Sequence, residues 1–191
     1  MPIAPPPAIE ELTLTCLEYV KRALGVALDF SPETLPLLDH YATLARAEIE
    51  KNPALGGVIA PAVGAYFGEV VRARLDGFWS MPSQNAHDWA VCSRVTYLSL
   101  NPIGVAYDAI FAGTEHDGPR SNLRVAPEDS EYLDRRLASL PPVPEDEYYS
   151  FSTRFEVIEV ATEALAAKME EEGYGGTEYS VDDYGLDYGP S

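Results

Sequence analysis

Few residues in this chain are of a type that carries chemistry. Three histidines, His40, His87 and His116, are the candidate proton carriers and metal ligands. His40 follows Asp39 in a helical pattern and has no second ligand three or four residues away, so it reads as an ordinary helical histidine. His87-Asp88 opens an alternating segment, and Glu115-His116-Asp117 lies in a loop flanked by glycines. Brought together, the two clusters would bind a metal or share a proton, which defines one reading: a small enzyme or metal- or ligand-binding protein with a site near His87 and His116. Adjacent residues of an extended chain point to opposite sides, however, so a His-Asp pair by itself specifies no geometry.

Nucleophiles are no better placed. Cys16 and Cys92 both sit in apolar stretches with no neighbour that would lower a thiol pKa, which describes buried free thiols in a reducing compartment. The chain has no Gly-x-Ser-x-Gly elbow. The glycine-containing run "ALGGVIAPAVG" lacks the lysine and the spacing of a phosphate-binding loop. Carboxylates are so abundant that no particular pair of them is informative. The expectation is therefore no catalytic residue, no metal and no cofactor.

Charge is the strongest compositional signal. The net charge is −18 over 191 residues, and residues 127–191 alone hold 17 acids and 4 bases. Such a field repels nucleic acid and anionic membranes and speeds encounter with basic partners. The end of the chain, "GYGGTEYSVDDYGLDYGPS", carries no base. Its Tyr174, Tyr179, Tyr184 and Tyr188 are amphipathic contact residues, and Asp182, Asp183 and Asp187 add attraction to a basic surface. These seven residues are the candidate partner-binding set. The segment holds too little apolar surface to offset its ordering entropy, so it is expected to be flexible or only loosely docked.

The elements that would position these groups read as follows. Residues 1–7 form a proline-rich arm. Ile9, Leu12, Cys16, Val20 and Leu24 recur at helical spacing until Gly25. Ser31 caps and Pro32 opens a second helix, whose core face is Leu35, Leu38, Tyr41, Ala45 and Ile49. On a helix over 57–75, Ile59, Val63, Tyr66, Phe67 and Val70 share one side. Gly57, Ala60, Gly64 and Gly68 share another, leaving Pro61, Ala65, Glu69 and Arg72 for water. That pattern predicts a central helix packed from both sides, with another backbone against its glycines; the alternative is a site around Glu69. "HDWAVCSRVTYLSL" predicts one or two antiparallel strands pairing with Phe78-Trp79. Asn101 and Pro102 open a helix closed by Gly113. A short helix then begins at Pro127 and is cut off by Pro141-Pro142. The last helix runs from about Phe151, although "YYSFSTRFEV" also alternates as a strand would. No apolar run approaches the roughly 18 residues of a membrane span, and the start of the chain lacks the pattern of a secretory signal.

The segments "LDFSPETLPLLDHY", "GAYFGEVVRARLDGFW" and "NPIGVAYDAIFAG" occur in an order that resembles a family of small uncharacterised bacterial proteins. In that family a Leu-Asp-aromatic-Ser segment precedes a helix, and a Gly-x-Tyr-x-Gly-Glu helix ends before a Trp-containing strand. The resemblance covers roughly residues 25–112. It implies no activity and carries over no functional residue; some proteins of this kind accompany toxins as immunity proteins.

The sequence thus predicts a helix-dominated α+β single domain over residues 8–172, with a small antiparallel sheet of two to four strands and an acidic tail over 173–191. The expected function is a non-enzymatic cytoplasmic protein that binds a basic partner protein, such as an inhibitor or immunity factor, with neither nucleic acid nor membrane as partner. The second alternative to it is a subunit of a larger assembly that docks through its tail.

Overall fold

The computed structural model describes residues 4–185. Among these residues, six α-helices and a four-stranded antiparallel sheet follow in the order α1 (Pro7–Leu24), α2 (Leu35–Lys51), α3 (Gly56–Arg74), β1 (Phe78–Ser80), β2 (Ala90–Cys92), β3 (Leu98–Leu100), α4 (Pro102–Phe111), β4 (Arg124–Val125), α5 (Pro127–Ala138) and α6 (Phe151–Glu171). This is the helix-dominated α+β domain expected. The sheet is a meander, β1-β2-β3-β4.

Helix α3 is the centre. Residues Pro53–Arg74 are long and apolar enough by length and composition to cross a membrane, contrary to the expectation that no such run exists, but most of this stretch is buried inside the protein. Its small residues explain how. A methyl group on Gly64 would stand 2.7 Å from Ile103 Cα and 2.8 Å from the Pro102 carbonyl oxygen, so the start of α4 lies directly on the α3 backbone. One turn later the Trp79 ring fills the space over Gly68. The expected approach of another backbone is therefore present at Gly64, whereas the neighbours of Gly68 are side chains. Gly57 has no such contact: it is exposed and has nothing within 4 Å of a would-be Cβ.

The aromatic on this helix joins it to an earlier segment. Tyr66 is fully buried, and its hydroxyl accepts the Phe30 N–H at 2.9 Å and meets Thr34 Oγ1 at 2.9 Å. Phe30 takes a left-handed φ of 65° and stacks on the Tyr66 ring at 5.1 Å. The Leu-Asp-Phe-Ser and Gly-x-Tyr-x-Gly segments are thus two sides of one packing unit. Ser31 does not cap through its side chain; a 3-10 turn, Pro32–Thr34, leads into α2 instead.

Asn101 caps α4 as expected, its side chain accepting the Gly104 N–H. Ser150 does the same for α6 by accepting from Thr153, which settles the ambiguous "YYSFSTRFEV" as helix. The sheet's two faces differ. Trp79, Val91, Leu98 and Leu100 belong to the main core with the helices, whereas Phe78 and Cys92, paired across β1 and β2, form a separate cluster on the other side.

The close approach at Gly64 generates a contrast. Gly64→Ala should lower stability by about 1–3 kcal/mol, because the clash is with backbone that cannot rotate away. Gly57→Ala, in open space on the same helix, should raise stability by about 0.5–1 kcal/mol. Urea midpoints of the two variants against the parent chain measure both.

Candidate functional site

A groove of about 1230 Å³ lies between α2, the end of α4, the start of α6 and the segment Leu140–Tyr149 that arches from α5 to α6. Prolines 141, 142 and 144 keep this arch out of helical geometry. Ala42, Ala109, Val157 and Val160 line the groove with apolar surface. Its rim carries Glu145, Asp146, Glu147 and Glu156, all exposed.

Two polar groups in the wall have structural roles. The Asp39 carboxylate accepts the backbone N–H groups of Phe151 at 2.6 Å and Ser152 at 3.2 Å, and the Ser152 hydroxyl at 2.6 Å. It therefore closes the positive end of α6 from a neighbouring helix. Arg46, two turns further along α2, donates from Nε to the Ile110 carbonyl at 2.8 Å and from Nη2 to the Ala109 carbonyl at 2.9 Å, closing the negative end of α4. Both charges are committed to helix ends. The four rim carboxylates make no ion pair within the described residues, which leaves the mouth of the groove anionic. His40 is exposed on the same wall.

Histidines 87 and 116 occupy different surroundings. His87 lies on a short 3-10 turn, Ala86–Asp88, rather than opening a strand, and borders a cleft of only about 20 Å³ with Asn122 and Arg124. His116 packs against the stacked pair of Tyr107 and Phe111 rings, at 5.2 and 5.6 Å, with Nε2 at 3.2 Å from Asp108 Oδ1 and its side chain 1 % exposed. It pins the loop after α4 to that helix. Among the described residues, no group of three or more His, Cys, Asp or Glu side chains is arranged to hold a metal ion.

Glu69, expected to face water, is buried. Its Oε1 accepts the Trp79 indole N–H at 2.7 Å, and both its oxygens receive Arg72, at 2.9 and 2.8 Å. The wheel pattern assigned its strip to solvent because Trp79, which covers it, comes from another element. Burial pushes the Cys16 and Cys92 thiols up to about 12, so both stay protonated and poorly nucleophilic at neutral pH.

The tail is docked over its described part, a correction to the expectation of a loose segment. Tyr184 is 2 % exposed. Its hydroxyl lies 2.7, 2.8 and 3.0 Å from the carbonyl oxygens of Ser93, Thr96 and Leu98, and accepts the Leu98 N–H at 3.0 Å. The Tyr179 N–H donates to the Arg94 carbonyl, and the Asp183 carboxylate accepts from Ser180 N–H and Oγ–H. The physical reason is the second sheet face. Phe78 and Cys92 stand apart from the main core, and Tyr184 packs with them in a cluster of its own. Of the seven candidate partner-binding residues, Tyr184 is thus spent within the chain. Tyr174 and Asp182 are exposed, as is Asp183, while Tyr179 is half-buried. Asp187 and Tyr188 lie outside the described residues.

Removing the cap from α6 with Asp39→Ala should cost about 1–2 kcal/mol, readable as a lower thermal midpoint with unchanged helical content. Alkaline pH tests the tail. Burial raises the Tyr184 phenol well above the ordinary 10.0, so the folded chain holds this proton after the unfolded chain has lost it. Stability from Tyr184 is then complete below about pH 10 and declines as pH rises further. The stability difference between the parent chain and Tyr184→Phe should accordingly shrink above pH 10, measured by urea unfolding from pH 8 to 11.

Comparison of the chain with protein-family models, with curated proteins and with solved structures finds no match to any of them.

Proposed function

We propose that the chain is a non-enzymatic protein-binding protein of the cytoplasm that takes a basic partner protein, in the manner of an inhibitor or immunity factor. The observation that carries this reading is the groove beside α6: a large concavity lined in part by apolar side chains, with four carboxylates at its mouth that make no ion pair among the described residues. A lysine or arginine side chain has matching chemistry, with an aliphatic stem for the prolines and valines and a cationic head for the rim. The excess of acid in residues 127–191, which include the four rim carboxylates, adds a long-range negative field that favours encounter with a cationic surface.

The exposed acids of the tail, Glu178, Asp182 and Asp183, extend that field. Tyr184 contributes differently from the other tyrosines, since it holds the tail in place. A site joining His87 and His116 has no support from their separate surroundings. Docking on a neighbouring subunit through the tail would need Tyr184 or its flanking residues to leave the sheet.

The test uses an octalysine peptide as probe and the full chain at low and physiological salt. Neutralising the rim with Glu145→Gln, Asp146→Asn, Glu147→Gln and Glu156→Gln should weaken binding by at least about tenfold and flatten its salt dependence. Neutralising four exposed acids elsewhere, Glu10, Glu11, Glu18 and Glu50, changes net charge equally and should have a much smaller effect. Equal losses from both sets would reduce the interaction to bulk charge, and an absence of binding by the parent chain would end the proposal.

A further inference from the structure

The cluster of Phe78, Cys92 and Tyr184, apart from the main core, contains a site built around one tyrosine. The turn Ser93–Leu98 between β2 and β3 curls so that three carbonyl oxygens and one N–H converge on a single point, where the Tyr184 hydroxyl sits. A hydroxyl carries one proton and accepts through its lone pairs, so it donates to one of these carbonyls while accepting from Leu98. The ring has its own slot. Tyr97 stacks on it at 4.7 Å with an interplanar angle of 8°, and Phe78 meets it edge-on at 5.9 Å. Cys92 closes the cluster. A phenylalanine would fill the slot but offer the carbonyls no donor, and a site with buried polar groups rejects a ligand that leaves them unpaired.

The segment that fills this slot is Asp183-Tyr184-Gly185, and the sequence repeats it four residues later as Asp187-Tyr188-Gly189. The strap hangs from α6 by a glycine-rich turn in which Gly173 and Gly176 adopt φ of 84° and 81° with open space around each. Such a turn lets the strap shift or lift without moving α6. We propose that this is a tyrosine-binding site for Asp-Tyr-Gly segments, and that the tail carries two interchangeable ligands for it, Tyr184 and Tyr188. The inference is independent of the groove. Both ligands are tethered to the site, so loss of one leaves the other at high effective concentration.

Cys92 reports on the site because it is buried in one cluster with Phe78 and Tyr184, while buried Cys16 serves as an internal reference in the same molecule. The full chain and its Tyr184→Ala, Tyr188→Ala and double variants are labelled with a thiol-reactive disulfide at neutral pH, and each cysteine is followed by peptide mass. Tyr188→Ala should leave the Cys92 rate unchanged. Tyr184→Ala should raise it by less than about tenfold, and the double variant by about a hundredfold or more, since labelling tracks the fraction of open site. In the double variant, N-acetyl-tyrosinamide at millimolar concentration should shift the Leu98 amide resonance and slow Cys92 labelling, whereas N-acetyl-phenylalaninamide should do neither. Where Tyr184→Ala does not fold, Tyr184→Phe with and without Tyr188→Ala carries the same comparison. Two results would overturn the proposal: exposure of Cys92 by the single Tyr184 variant as complete as in the double variant, or equal effects of the two amides.

Discussion

Gly64 lets the first turn of α4 rest on the backbone of α3, where even a methyl group would overlap Ile103 Cα and the Pro102 carbonyl. Gly68, one turn on, admits the Trp79 ring, and Glu69 beside it accepts that ring's N–H while pairing with Arg72. These contacts join three parts of the chain: the central helix, the first strand and the helix between the third and fourth strands. Their closeness fixes where α4 points. That in turn sets where its last carbonyls emerge, which is the back wall of the groove. A buried ion pair with a third hydrogen-bonded partner contributes more to a defined geometry than to net stability, since desolvation of both charges offsets much of their attraction.

Helix α2 works on the outer side of that assembly. It sends a carboxylate to the start of α6 and a guanidinium to the end of α4, so two helix ends are closed by side chains from a third helix. Because both charges are consumed in this way, the groove between these helices owes its electrostatic character to the residues of the arch and to Glu156. A floor made by rigid helices beneath a rim made by a proline-rich arch is an arrangement suited to recognition, with shape and charge coming from separate parts of the sequence.

The legible parts of the sequence were those decided by neighbours in the chain. Asn101-Pro102 announced a helix start because cap and proline act within one turn, and the spacing of Leu35, Leu38, Tyr41, Ala45 and Ile49 announced a buried face because helical periodicity is local. The glycine face of α3 was legible for a similar reason: the cost of glycine in a helix calls for a compensating contact. What stayed hidden depended on residues far apart. Glu69 is buried by Trp79, ten residues on, and the α6 cap comes from Asp39, more than a hundred residues back. The arch residues Glu145 to Glu147 belonged to the acid-rich final third, yet nothing local marked them as the rim of a groove. Composition also misjudged the tail. It weighs the segment as a whole, whereas docking here depends on one ring packing with Phe78 and Cys92.

The disposition of Asp39 and Arg46 constrains how this chain can change over evolutionary time. They stand seven positions apart, close to two helical turns, so both project from one flank of α2. Inserting or deleting a single residue between them would swing one charge by ~100° relative to the other, and one of the two helix ends would lose its counterpart. Length variation is closed to that stretch, while the arch over the groove pays only a slowly growing entropic cost for added residues. Variation of this surface therefore has an open route through the arch, with the scaffold beneath it held to a fixed count.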